Sequence, residues 1–178
     1  AGYAMKKRNL FKHAGAGLAA LAGFALTCAG CASSSQPGVA FTAPPPSGEP
    51  TGFLNKALER DGGVARYVVY VPYDYTPDRA WPMVLFLHGA GERGRDGLVQ
   101  TEVGIGTAIR RNPERFPAIV VFPQCPEERF WDSMLDVLDG VMEKTRSEYH
   151  IDPARQYLTG LSMGGYGVWL WGATRTDT

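Results

Sequence analysis

Tyr157-Leu158-Thr159-Gly160-Leu161-Ser162-Met163-Gly164-Gly165-Tyr166-Gly167 reads as a short apolar strand, a serine bracketed by glycines, and the opening of a helix. Gly160-Leu161-Ser162-Met163-Gly164 fits G-x-S-x-G, the pattern that lifts a serine onto a sharp strand-to-helix turn. Such a turn brings neighbouring backbone so close that a Cβ at either flanking position would clash. In return the serine Oγ is exposed at a helix N-terminus, beside a backbone N–H that can receive an oxyanion. With 22 glycines and seven serines in 178 residues, chance alone supplies about 0.1 such match. The surrounding chain has to decide.

Immediately upstream, residues 156–159 form the strand that delivers Ser162, and Asp152-Pro153 turns the chain into it. Before that, Asp132 or Ser133 can cap a helix ending near Tyr149. Its face carries Leu135, Leu138, Val141 or Met142, and Thr145 at three- and four-residue steps. Residues 118–122 are a continuous apolar run of strand length, followed by Pro123-Gln124-Cys125-Pro126. Residues 98–110 read as a helix closing before Pro113, although Gly104 and Gly106 are weak helix formers. Residues 83–87 are a second buried run that enters the glycine-rich loop His88-Gly89-Ala90-Gly91-Glu92-Arg93-Gly94. Residues 66–71 are β-branched and aromatic, a strand ended by Pro72. Strands alternating with helices predict a right-handed α/β arrangement whose ligand site lies at the carboxyl ends of the parallel strands. Those ends carry His88 to Gly91, Gln124-Cys125 and Ser162.

Leu87-His88-Gly89-Ala90-Gly91-Glu92-Arg93-Gly94, then Pro123-Gln124-Cys125-Pro126 with Trp131, then Ile151-Asp152-Pro153-Ala154-Arg155 leading into Thr159-Gly160-Leu161-Ser162-Met163-Gly164-Gly165, resembles the secreted bacterial esterases of the α/β-hydrolase superfamily. Phospholipase/carboxylesterase-like and feruloyl-esterase-like members are the nearest in pattern, bordering on prolyl-oligopeptidase-type serine peptidases. The resemblance covers residues 53–178 and implies a three-layer α/β-hydrolase sandwich with a mostly parallel sheet. It implies Ser162 as nucleophile, Met163 N–H as one oxyanion donor, and Ala90 N–H as the second, with Gly91 as the neighbouring option. His88 and Gly89 then support the oxyanion loop. Trp131 and Gln124 are candidates to line the substrate, though Trp131 can equally cover the core and Gln124 can equally satisfy loop backbone. No metal or organic cofactor is implied. The glycine loop lacks the G-K-[ST] ending of a phosphate cradle. Cys125 reads as a small buried residue, since no basic neighbour would lower its pKa. Glu92, Arg93, Arg95 and Asp96 read as a salt-bridge set within the loop.

In this superfamily the acid and the histidine follow the serine in chain order. No histidine follows Ser162; the three present are His13, His88 and His150. His150 precedes the delivering strand, whose four to six residues put it about 13–20 Å from the serine, far beyond hydrogen-bond reach. The expectation is therefore an enzyme whose triad partners lie past Thr178, with the sheet incomplete at its C-terminal side. Such a chain alone is expected to be a poor hydrolase and poorly soluble, with an exposed apolar strand edge. The leading function is hydrolysis of carboxylic esters, small or polysaccharide-linked. The alternatives are a serine peptidase of prolyl-oligopeptidase type and a non-catalytic surface lipoprotein of the same fold.

The N-terminus reads as an address. Met5-Lys6-Lys7-Arg8 opens a basic segment and residues 14–27 are almost wholly apolar or small, a signal rather than a spanning helix. Met5 is then the start. Ala29-Gly30-Cys31 resembles the end of a bacterial lipobox, which makes Cys31 the lipid-attachment residue of an exported, envelope-anchored protein; Cys28 stands where that pattern usually has leucine. Cleavage after Ala32, giving a secreted or periplasmic protein, is the alternative. Residues 32–52, with Ser33-Ser34-Ser35 and Pro44-Pro45-Pro46, read as a tether, and the folded domain as 53–178. Eighteen basic and eighteen acidic residues give zero net charge, which does not recommend a nucleic-acid partner. The three cysteines form no zinc-like cluster.

Overall fold

The computed structural model describes residues 48–61 and 63–175. The expected signal, the expected lipid-attachment residue Cys31 and most of the expected tether lie outside the described residues. The chain forms strand β1 (Gly52–Arg60), strand β2 (Gly63–Val71), strand β3 (Trp81–Leu87), helix α1 (Gly104–Arg111), strand β4 (Ile119–Pro123), helix α2 (Leu135–Glu148), strand β5 (Ile151–Gly160) and helix α3 (Met163–Ala173). One sheet takes the order β1-β2-β4-β3-β5. β3 runs parallel to both β4 and β5, while β2 opposes β4 and β1 opposes β2. Four strands therefore share one direction and β2 alone is reversed.

The apolar runs become the strands buried on both faces. All five residues of β4 are buried, as are Leu85, Phe86 and Leu87 at the end of β3. On one face Tyr67, Val69, Met83, Leu85 and Val121 pack with Leu138, Val141 and Met142 of α2 and with Met163 and Trp171 of α3. On the other, Val68, Tyr70, Phe86, Val120 and Phe122 pack with Ile109 of α1. These are the three layers of an α/β sandwich.

Four local expectations are corrected. β1 begins the fold as a nine-residue strand that the sequence reading does not contain. Its residues are mostly helix formers, but pairing with β2 along its whole length holds it extended. Asp152-Pro153 is not a turn before the strand; it lies within β5. Trp81 pairs with Ile151 and Met83 with Gln156, so three extra residues bulge out of the ladder there. The helix expected over residues 98–110 is split into a 3-10 turn at Val99–Thr101 and α1, because Gly104 takes φ +54°. A Cβ at Gly104 would lie 2.7 Å from Phe86 Cζ and one at Gly106 2.2 Å from Thr101 O, so the backbone can fold this tightly only with glycines there. Finally, neither Asp132 nor Ser133 caps α2: a 3-10 turn at Trp131–Met134 leads into it, and Met134 holds the capping position with no side-chain bond. The helix does end at Tyr149, and Leu138, Val141, Met142 and Thr145 are buried as the spacing predicts.

Among the described residues β5 is an edge strand. Tyr157 on it is 56% exposed, and α3 presents Tyr166, Trp169 and Leu170 to the outside.

Candidate active site

β5 delivers Ser162 beside the end of β3. Leu87 pairs with Gly160, and Leu161 N–H donates to Leu87 O at 2.9 Å, carrying the ladder one residue past the strand. The chain then reverses. Ser162 takes φ 52° and ψ −113°, the one positive φ outside glycine among the described residues, and α3 starts at Met163. Gly164 N–H donates to Leu161 O and Gly165 N–H to Ser162 O, both at 2.8 Å, locking the turn. The bracketing glycines are required by space. A Cβ at Gly160 would lie 2.5 Å from the Gly164 carbonyl, and one at Gly164 1.9 Å from Leu87 O. Gly165, by contrast, faces nothing within 4 Å. Ser162 itself is exposed.

The glycine-rich loop after β3 folds over this serine. A Cβ at Gly89 would come within 3.5 Å of Leu161 O and 3.7 Å of Ser162 Cβ. Ala90 to Glu92 form a 3-10 turn. As the first residues of their elements, Ala90 and Met163 have N–H groups with no acceptor inside those elements. Ala90 and Gly91 are exposed.

His88 is fully buried and both its ring nitrogens are engaged. Nδ1 lies 2.7 Å from Gly89 O and Nε2 accepts the Cys125 N–H at 3.0 Å. The tautomer that satisfies both carries its proton on Nδ1. The His88 carbonyl accepts Trp131 Nε1–H at 3.1 Å, and the two rings meet edge to face at 4.9 Å. The imidazole therefore ties the loop to β4 and to Trp131.

Burial holds the His88 pKa below its ordinary value, a pull only partly offset by the Gly89 carbonyl and the charge of Glu92. The unfolded chain takes up this proton near pH 6.5 and the folded one only lower, so the contribution is complete above 6.5 and lost as pH falls. Unfolding free energies from urea titrations taken downward from pH 7.5 are expected to fall below about pH 6.5 by up to about 1.4 kcal/mol per pH unit. His88→Asn is expected to flatten that slope while lowering stability throughout.

Gln124 is 4% exposed and wholly occupied with the loop. Its Oε1 accepts Gly97 N–H at 2.7 Å, and Nε2 donates to Glu92 O at 3.3 Å and Asp96 Oδ1 at 3.2 Å. Cys125 is buried, which pushes its thiol up to about 11. The four charged loop residues do not pair among themselves as expected. Arg95 pairs with Glu128, Asp96 accepts the Leu98 and Val99 N–H groups, and Arg93 stacks 5.1 Å from the centre of the Phe130 ring. Loop backbone and the facing segment supply partners closer than the neighbours in sequence.

Beside Ser162 lies a pocket of about 350 Å³ walled by Phe130, Trp131, Met163, Tyr166 and Leu170. Trp131 thus edges the pocket and is also a core residue, 1% exposed. Gln124 is not among the pocket's walls; it faces a different cavity. Gly167, which the sequence reading left without a role, lets α3 close on Trp131: a Cβ there would lie 2.7 Å from Trp131 Cβ. His150 stands at the other end of the sheet, its carbonyl accepting Trp81 N–H at the start of β3 and its Nδ1 2.8 Å from Pro77 O. The seven residues of β3 separate it from the serine by about 20 Å. Among the described residues no group of three or more His, Cys, Asp or Glu is placed to hold a metal ion.

Comparison with solved structures places this geometry. A thermostable esterase is 35% identical with TM-score 0.63, over 70% of this chain and 38% of its own. A mutant feruloyl esterase module from Clostridium thermocellum, complexed with sinapinate, is 21% identical with TM-score 0.56, over 70% and 50%. An S-formylglutathione hydrolase from Staphylococcus aureus is 17% identical with TM-score 0.52, over 72% and 57%. The chain thus spans less than two thirds of each of these proteins. No protein-family model matches it, and no curated protein matches it by sequence. With its strand order, its glycine-bracketed serine turn and this likeness, the chain has the α/β-hydrolase fold and is similar to esterases that share it.

Proposed function

We propose that the chain carries the nucleophile and the oxyanion loop of a serine esterase. The observation that carries this reading is the strained Ser162 backbone, φ 52° at the junction of β5 and α3, with Gly89 packed against it. A non-glycine residue held there costs about 1–3 kcal/mol, a cost that a merely structural turn could avoid by using glycine. In this reading Ser162 Oγ attacks the ester carbonyl. The Met163 and Ala90 N–H groups, or Gly91 in place of Ala90, receive the oxyanion. Each such donor contributes about 3–4 kcal/mol to the tetrahedral intermediate. The alcohol leaves, and water releases the acyl group from the serine. The apolar and aromatic pocket of Phe130, Trp131, Tyr166 and Leu170 suits an acyl group with an apolar or aromatic body.

Neither described histidine suits the role of base: His88 has both nitrogens engaged in the core and His150 is at the far end of the sheet. We assign that role, and the acid that orients it, to sequence following Thr178. Export, with a lipid on Cys31, completes the reading and rests on residues 1–31 alone.

A fluorophosphonate probe tests the assignment. On the full-length protein the label is expected on the peptide holding Ser162, together with turnover of p-nitrophenyl acetate that the label abolishes. The chain ending at Thr178 is expected to turn the ester over at least about a hundredfold more slowly. Label on another serine, or turnover surviving full labelling of Ser162, overturns the reading.

A further inference from the structure

A second cavity, about 520 Å³, lies beside the first. The segment after β4 contributes walls to both. From the loop after β3, Gly89 packs on Ser162 while Gly94 and Arg95 face the second cavity. From the segment after β4, Phe130 and Trp131 wall the serine pocket while Pro126 and Arg129 face the other way.

Four arginines line this cavity: Arg60, Arg66, Arg95 and Arg129. Two are spent, Arg60 on Asp136 and Arg95 on Glu128. Arg66 and Arg129 form no ion pair with a carboxylate among the described residues. With Asp136 neutralised by Arg60, Asp61 is the one lining acid left to set against them. Arg129 Nη1 lies 3.7 Å from Met134 Sδ, a weak acceptor. The stem of Arg66 is laid along Gly97, where a Cβ would come within 3.3 Å of its Cβ and Cδ. Gly97 is itself fixed by Gln124. Val64, Met134 and Val137 also line the cavity.

We propose that this cavity binds an organic carboxylate about the size of one sugar acid, gripped by Arg66 and Arg129. A guanidinium presents a rigid fork that matches a carboxylate in two parallel hydrogen bonds. Two forks outside the ion pairs of the described residues, Arg129 feeling the neighbouring charge of Glu128, give the anion its site, and the apolar side chains that share the lining receive a carbon skeleton that a bare inorganic anion does not have. The volume suits a compact ligand, and the chain's zero net charge gives no long basic track for a polymer of phosphates. The site stands independently of the Ser162 assignment, because it is read by binding and not by turnover.

Isothermal titration of the full chain with D-galacturonate, D-galactose and inorganic phosphate at low ionic strength tests it. Galacturonate is expected to bind saturably, at least about tenfold tighter than the neutral sugar or phosphate. Arg66→Gln and Arg129→Gln are each expected to weaken it about fivefold or more, with the Lys variants intermediate. Raising ionic strength from about 0.01 to 0.15 M is expected to weaken it further. A second measurement needs no variant: galacturonate should protect Arg66 and Arg129 from phenylglyoxal, read by peptide mapping, while leaving Arg79 reactive. Phosphate binding as tightly as galacturonate, binding indifferent to both Gln variants, or no protection of either arginine overturns the proposal.

Discussion

Gly164→Ala is expected to keep the chain from reaching its native fold, whereas Gly165→Ala, one residue along the same helix, is expected to stabilise it. The two substitutions add the same methyl to the first turn of α3. At Gly164 that methyl would lie 1.9 Å from Leu87 O, 2.5 Å from Leu87 C and 2.8 Å from His88 O. All three are backbone atoms of the strand end and loop entry, so no side chain can rotate away. Relief would need α3 to lift off β3, breaking the Leu161 N–H to Leu87 O bond and the contact of Gly167 with Trp131. A loss of about 4 kcal/mol or more is expected, a large part of the stability of an ordinary domain. At Gly165 nothing stands within 4 Å, and alanine in a helix is worth about 0.5–1 kcal/mol over glycine. Urea denaturation of the two variants and the parent checks the pair. Equal effects in either direction would mean that α3 does not approach β3 as closely as described.

That pair also shows where sequence reading succeeds and where it stops. Glycines at 160 and 164 could be assigned to close approach because the serine turn dictates both by its geometry. Gly167 has the same function, against Trp131, but its partner is 36 residues away and nothing local announces it. The parallel strands β3 and β4 were legible because burial on both faces makes each a continuous apolar run. β1 was not. Gly52-Phe53-Leu54-Asn55-Lys56-Ala57-Leu58-Glu59-Arg60 is built largely of helix formers and becomes a strand through its partners. Leu54 and Leu58 reach the core, Lys56 pairs with Glu148 and Arg60 with Asp136 on α2. Leu58 Cδ2 also occupies the space a Cβ would need at Gly140. These are tertiary contacts that override propensity, and no window of nine residues contains them.

The site divides the same way. Ser162, Met163 and the Gly89-Ala90 turn come together because pattern and chain order specify them. The duties of His88 and Gln124 depend on which backbone groups are left unpaired once the loop is folded, which only the folded loop reveals. His88 holds Cys125 N–H and, through its own carbonyl, the Trp131 indole. Gln124 holds Gly97, Glu92 and Asp96. Each is buried because all its polar atoms are satisfied. Together they set the shape of the loop that lies on the serine, and of the wall that this loop shares with the arginine-lined cavity.

Replacing Ser162 should separate chemistry from strain. In the full-length protein Ser162→Ala is expected to lower p-nitrophenyl acetate turnover by about 10⁴-fold or more, toward the residual rate that oxyanion donors and binding supply alone. Ser162→Gly should be equally inactive, yet the two should differ in stability. Alanine keeps a Cβ at φ 52° and so keeps the strain, leaving the urea midpoint near that of the parent. Glycine accepts that φ freely. Relief of about 1–3 kcal/mol of strain, set against about 0.5–1 kcal/mol of added chain entropy in the unfolded state, predicts a net gain of about 1 kcal/mol. The stability comparison needs no substrate, so it stands apart from the proposed activity. If Ser162→Gly were no more stable than Ser162→Ala, the turn would not be strained, and nothing in its backbone would mark the serine as held there for its reactivity. If glycine stabilises and both variants are inactive, the serine is kept at a cost to stability, as a nucleophile would be.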